Sequence, residues 1–360
     1  MSTFSNVPEQ AEAKRLLSAA LEEGPAHAYL FHGPAGVGKR AAALAFAAEL
    51  LAEHDRVARR SHPDLYLLEP LGDQIRIDAI RELRRDLHMR PFEAQRRVYL
   101  IFGAELMNDE AADALLKDLE EPPPYAVIVL VADDVGPLSE TIRSRCQPVL
   151  FRRLSEKAVR ALVAERAPGL SPNEEAALAR VAGGRLDRVE RLLDPKATER
   201  RAELIALARS VYRDPAFVPA EAAKAVVASA EEVGREARAL AEEELEGRDL
   251  PAREADQWLR RAARGAERDE LLLALEELGA WYRDLVAVAV GAERAAIHLD
   301  HLDALREDGS PDRAPAAETA AGLVRQTWRE LQELQLQAPL AFEALFVQLR
   351  RAFAGSLVPA

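Results

Sequence analysis

The sequence holds a single cysteine, Cys146, in 360 residues. That excludes an internal disulfide and any multi-cysteine zinc site. Aromatic residues are scarce at 5%; Ala, Leu, Glu and Arg dominate instead, a composition that favours helices. Positive charge is in deficit, with 48 basic against 61 acidic residues and a formal net charge of −13. So acidic a chain is poorly suited to gripping DNA alone, because neutralising phosphates takes a basic surface. Docking on a partner that carries the basic groups stays open. No run reaches the roughly 18 apolar residues a membrane helix needs, and "MSTFSNVPEQAEAKRLL" lacks the apolar core of a secretory signal. The expectation is a soluble, cytoplasmic protein with no membrane partner.

What is present is an alternation. Across the first 150 residues, short apolar runs predict strands at AYLFH (28–32), DLYLLE (64–69), RVYLIF (97–102), AVIVLVA (126–132) and PVLF (148–151). Helical patterns fall between them at 39–53, 78–88 and 109–121. Asp78 is the expected N-cap of the second, and Pro122, Pro123 and Pro124 stop the third. Strands alternating with helices predict a parallel, doubly wound sheet covered on both faces. After Phe151 the strand signals vanish. Three short amphipathic patterns follow to about residue 195, with Gly183 and Gly184 turning the chain before the third. From about 199 the chain reads as helix to its end, broken near Pro215, Pro251 and 307–316. The acidic stretch 231–250 and the mixed-charge stretch 259–270 read as solvated helix faces. The expected architecture is α/β plus all-α in three domains: a P-loop-type domain over 1–152, a small helical lid over 153–198, and a helical domain over 199–360.

One stretch carries chemistry and then breaks it. FHGPAGVGKRAAALAF (31–46) places Gly33, Gly38 and Lys39 on the pattern G-x-x-x-x-G-K-[ST], with Gly36 inside the loop. A strand leads in and a helix leads out, the context in which backbone N–H groups and a helix N-terminus cradle phosphates. The next residue, however, is Arg40, where a hydroxyl normally sits on magnesium. A second defect lies on RVYLIF, which runs into Phe102, Gly103, Ala104 and Glu105 and leaves no acid at the strand end. Glu105 is expected as a surface loop residue. Both defects fall on the metal, and a site without hydroxyl or acids does not readily organise magnesium on a triphosphate. His54 and His62 are expected as solvent-exposed loop residues, and Cys146 as a small buried hydrophobe.

HAYLFHGPAGVGK (27–39), SHPDLYLLEP (61–70), ALLKDLEEPPPYAVIVLVAD (114–133) and TIRSRCQP (141–148) together resemble the clamp-loader branch of the AAA+ family. Within that branch the likeness is to delta-prime subunits of bacterial DNA polymerase III, in which the ATP site is typically degraded while a Ser-Arg-Cys motif is kept. LGAWYRDLVA (278–287) and the stretch 334–348 resemble the helical C-terminal collar through which such subunits assemble.

The resemblance implies a role for each site residue. Arg145 would project across a subunit boundary to the ATP of a neighbour, with Ser144 and Cys146 shaping its turn; an arginine supplied in trans stabilises transition-state charge on phosphates. Gly33, Gly36, Gly38 and Lys39 would form a vestigial phosphate loop. Ala132 fills the position of a threonine that senses the gamma-phosphate, and Asp187 in GRLDRV that of a nucleotide-touching lid arginine, with Arg185 and Arg188 beside it. The four-cysteine zinc module of many relatives has no counterpart in AEHDRVARRSHPD. No cofactor and no metal are therefore expected on this chain, ATP being bound by the neighbouring subunits. The implied partners are gamma/tau-type ATPase subunits and a delta subunit, and through the complex the sliding clamp and primed DNA. The implied function is a stator-like subunit, not an enzyme alone, that helps load the clamp in DNA replication. Two other readings stay open: an active gamma/tau-like ATPase or helicase loader, for which Lys39 is the best support, and an interaction scaffold in which Arg145 has no role.

Overall fold

The computed structural model describes residues 4, 7–70, 74–245, 252–333 and 336–354. The end of the acidic stretch (246–250), Pro251, Leu334 and Gln335 lie outside the described residues. The chain divides into two compact units: the chain to Ala161 with Gly183–Arg188, and Leu162–Ala182 with the chain from Val189. The stretch 153–198 contributes to both. Among the described residues no helix is long and apolar enough to cross a membrane.

The first unit runs α1 (Ala11–Glu23), β1 (Ala28–His32), α2 (Lys39–Leu51), α3 (His54–Ala58), β2 (Leu65–Leu68) and α4 (Ile77–Leu87). It continues with β3 (Arg97–Phe102), α5 (Asp109–Glu120), β4 (Ala126–Ala132), α6 (Glu140–Arg145) and β5 (Gln147–Leu150). The five strands form one parallel sheet in the order β2-β3-β4-β1-β5. Leu30 of β1 lies level with Leu130 of β4 on one side and Pro148 of β5 on the other. The strands are apolar without alternation because both faces are buried. Tyr29, Phe31, Leu100 and Val129 pack with Leu17 of α1 and Phe46 of α2. Leu30, Tyr99, Ile101 and Ile128 face the other way, against Leu83 of α4 and Leu115 of α5.

Several local expectations are corrected. The N-cap of α4 is Arg76, whose side chain makes no capping hydrogen bond; Asp78 lies inside the first turn, where a carboxylate still favours the positive end of the helix dipole. Helix α5 is capped by Asn108, which accepts from the Ala111 N–H, and α6 by Ser139, which accepts from the Ile142 N–H. Strand β5 begins and ends one residue earlier than expected. Helices α1, α3 and α6 were not read from the sequence.

Beyond β5 come α7 (Glu156–Arg166), α8 (Pro172–Ala182) and α9 (Leu186–Leu192). The rest is α10 (Pro195–Arg213), α11 (Pro219–Leu245), α12 (Ala252–Ala289), α13 (Leu302–Asp308), α14 (Ala314–Glu333) and α15 (Ala338–Phe353). Trp281, Tyr282, Phe342, Phe346 and Phe353 fill the core of this helical unit. An unexpected break after α12 turns at Gly291 and passes through two 3-10 turns, Glu293–Ala295 and Leu299–His301.

That break is anchored by buried charge. Asp284 accepts from the Ile297 N–H, the His298 N–H and His298 Nδ1, each at 2.8 Å. The other ring nitrogen of His298 lies 2.9 Å from Glu277, which Arg201 approaches to 3.5 Å. Burial opposes protonation of His298, but the Asp284 and Glu277 carboxylates outweigh it and raise its pKa above the ordinary value. A histidine pKa raised by folding contributes stability in full below the unfolded value, about 6.5, and loses it as pH rises through the folded value. The urea midpoint is therefore expected to fall between pH 6 and pH 9, and to fall less in His298→Asn. A His298→Asn protein with the wild-type pH slope would place the dependence elsewhere.

Candidate functional site

Strand β1 delivers the chain to the carboxyl edge of the sheet, where ligands of open α/β sheets bind. The loop from Gly33 to Gly38 then turns it into α2. Gly33 (φ 138°) passes so close to the end of β5 that a Cβ would lie 2.0 Å from the Phe151 carbonyl oxygen. Gly36 (φ 70°) faces Asp187, whose Oδ1 would lie 1.8 Å from a Cβ. Packing against backbone thus requires glycine at Gly33 whether or not a phosphate binds, while at Gly36 it is the left-handed backbone that favours glycine, the Asp187 carboxylate being a side-chain end that can turn aside.

Lys39 opens α2 and is 4% exposed. Its ammonium meets the carbonyl oxygens of Gly33 and Pro34, each at 2.5 Å, and Asp133 Oδ1 at 2.7 Å. An ammonium has three N–H donors, so a phosphate must displace one of these acceptors to reach it.

The Arg40 guanidinium lies over the Phe102 ring, its Cζ 4.2 Å from the centroid. It is also ion-paired to Glu69, which Arg60 approaches at 3.4 Å. The residue in place of the magnesium hydroxyl and the residue at the acid's strand end therefore pack on each other as a cation on an aromatic face. Magnesium takes oxygen ligands in octahedral geometry; a fixed guanidinium against an apolar ring does not fit it.

Acids reach Lys39 from elsewhere. Asp133 follows β4 directly, on the strand next to β1. Glu105, on a 3-10 turn after Gly103, accepts from the Asp133 N–H at 3.0 Å. Glu105 is not a free surface residue: it is half-buried, and desolvation holds its carboxyl above the ordinary range. The legible signal is the pair Asp133-Asp134 closing the apolar run of β4, one strand away from the end of β3 where the P-loop pattern places an acid.

Asp187 stands beside the same loop. The Leu186 N–H donates to the Gly36 carbonyl at 2.6 Å, and Arg185 holds the Asp187 carboxylate through Nε at 3.1 Å and Nη2 at 2.5 Å. Burial opposes its ionisation, but Arg185 and the Arg188 backbone N–H outweigh that and lower its pKa. A carboxylate kept charged beside a phosphate loop repels phosphate.

Arg145 is the last residue of α6. Its Nη1 donates to the Thr141 carbonyl at 3.0 Å and lies 3.5 Å from Ser144 Oγ, while Nη2 pairs with Glu120. Ser144 Oγ donates to the same Thr141 carbonyl at 3.1 Å. Cys146 is buried, and burial pushes its thiol up to about 12, which leaves it protonated and inert. Among the described residues no hydrogen bond or ion pair joins Arg145 to the phosphate loop. His54 is exposed, on α3. His62 corrects its expectation: it is buried, its Nδ1 accepting from the Asp64 N–H at 3.0 Å.

Residues 9–155, which span both the loop and Arg145, match the family described as "DNA polymerase III, delta subunit". That match takes in less than half of the chain, so it is a likeness of this region. The DNA polymerase III subunit delta' of Bacillus subtilis is 32% identical over 211 residues, 55% of this chain and 64% of the relative. That of Pseudomonas aeruginosa is 40% identical over 136 residues, 34% of this chain and 42% of the relative. The match spans less than two thirds of either relative. The subunit tau of B. subtilis is also similar, 31% identical over 166 residues, 42% of this chain and 29% of that one. Since delta' and tau subunits are both similar to this chain, at 32% and 31% identity in B. subtilis, the site residues have to separate the readings.

Proposed function

We propose that this chain is a delta-prime-type subunit of a DNA polymerase III clamp loader that does not turn over ATP and lends Arg145 to the ATP site of a neighbouring gamma/tau-type subunit. The observation that carries the reading is the packing of Arg40 on Phe102. Both positions that would serve magnesium are committed to each other, and Lys39 is committed to Asp133. The reading includes three domains, with a lid over 153–198 and a helical collar over 199–360 that holds the hetero-oligomer together. It includes gamma/tau and delta subunits as partners, clamp and primed DNA reached through the complex, and a cytoplasmic location. The net charge of −13 supports engagement of DNA through partners.

The active-ATPase reading has one specific observation in its favour, the retained Lys39. The purified chain decides between them. It is expected to show no steady-state ATP turnover, and only weak ATP binding by calorimetry. Turnover that Lys39→Ala abolishes would favour the motor. Co-purification with gamma/tau and delta subunits, followed by DNA-stimulated ATPase assays with and without this chain, tests the role in the complex.

A further inference from the structure

We propose that Glu120 is a positioning residue for Arg145, holding the guanidinium in the attitude in which it meets the neighbour's phosphates; this rests on the reading of Arg145 as a finger. The pair joins two elements that are distant in the chain. Glu120 ends α5, and Arg145 ends α6. The guanidinium is fixed from two sides, by the Thr141 carbonyl of its own helix and by the Glu120 carboxylate of the other.

Glu120 is poorly placed for the stability of its own helix. A carboxylate in the last turn faces the negative end of the helix dipole, where a cation would be favoured, and Glu121 adds a second acid there. The pair is also solvent-facing, at 32% and 47% side-chain exposure, and surface pairs contribute only about 0–1 kcal/mol. Stability therefore does not account for an acid at this position. Orientation does. Arginine carries five N–H donors. Among the described residues, Thr141, Ser144 and Glu120 engage Nη1 and Nη2, and Nε carries no partner. The carboxylate and the carbonyl thus fix the plane of the fork and leave Nε–H, with one Nη2–H, for an incoming phosphate oxygen.

The test uses the assembled clamp loader with ATP, primed DNA and clamp. Glu120→Gln keeps the shape and removes the charge; Glu120→Asp keeps the charge and withdraws it by one methylene. Misplacement by about 1 Å costs up to about 10²-fold. Glu120→Gln is accordingly expected to slow clamp loading about tenfold, through kcat with the KM for ATP unchanged, and Glu120→Asp to fall between it and wild type. In an Arg145→Ala background, Glu120→Gln is expected to have no further effect, the non-additivity of residues that act through one another. Wild-type rates for Glu120→Gln, beside an impaired Arg145→Ala, would overturn the proposal and leave the finger standing. An equal loss in both backgrounds would also overturn it, by showing that Glu120 acts elsewhere. Wild-type rates for Arg145→Ala would instead remove the finger reading itself.

Discussion

A clamp loader assembled with Arg145→Ala in this chain is expected to form normally and to load clamps far more slowly than wild type. The folding half of that expectation follows from placement. The guanidinium is partly exposed at the end of a six-residue helix, and its partners are a surface carboxylate, a carbonyl and a hydroxyl. Losing such contacts removes about 0–1 kcal/mol. The catalytic half follows from the chemistry. An arginine presented to a transferring phosphoryl group is worth about 10³ to 10⁵ in rate at the site it serves. If other sites in the complex keep working, bulk hydrolysis falls much less, so clamp loading, which needs the sites to act together, is the sharper measurement. Arg145→Lys is expected to rescue poorly, because a point charge does not reproduce the planar fork. A properly assembled Arg145→Ala complex that hydrolyses ATP and loads clamps at the wild-type rate would leave the chain a scaffold only.

Features set by neighbours in the chain were legible, and those set by neighbours in space were not. The strands could be read because a doubly covered sheet needs unbroken apolar runs, and RVYLIF and AVIVLVA have no other use. The start of α2 was marked by its glycine loop, and the end of α5 by three prolines. By contrast, Asp78 looked like a cap because its residue type fits, yet the chain enters α4 two residues earlier, at Arg76. His62 looked exposed because it lies in a polar connection, yet the Asp64 N–H donates to its ring and it is buried. At the candidate site, the loss of the magnesium hydroxyl was visible at Arg40. What fills the space was not: the Phe102 ring under the guanidinium, Asp133 on Lys39 and Asp187 beside Gly36 all arrive from separate segments. The pairing of Arg145 with Glu120 crosses from one helix to another and was hidden for the same reason.

Asp308→Ala is expected to be among the most destabilising single substitutions in the helical unit, although the stretch 307–316 reads from sequence only as a break. The Asp308 carboxylate is fully buried. It accepts from Arg209 Nε at 2.7 Å, the Tyr212 hydroxyl at 2.7 Å and Arg213 Nε at 2.5 Å, tying the end of α13 to α10. The Tyr212 hydroxyl accepts in turn from Trp281 Nε1 at 3.1 Å, so the network reaches the aromatic core. Desolvation raises the pKa of Tyr212, and the phenol therefore acts as a donor that must find an acceptor. Breaking a buried charged network from one side costs about 3–5 kcal/mol. The lower end applies here, because Arg209 and Arg213 are only partly covered and can turn to water, while the Tyr212 hydroxyl cannot. A loss of about 3 kcal/mol is a factor of about 10² in the folded-to-unfolded ratio. Asp308→Asn keeps the shape and one oxygen, and it should lose only part of this, since single hydrogen bonds to charged groups are worth about 1.5–3 kcal/mol. Urea unfolding followed by tryptophan fluorescence measures both variants. An Asp308→Ala protein within about 1 kcal/mol of wild type, the size of an ordinary surface effect, would mean that packing of the aromatic core, and not this carboxylate, holds α13 in place.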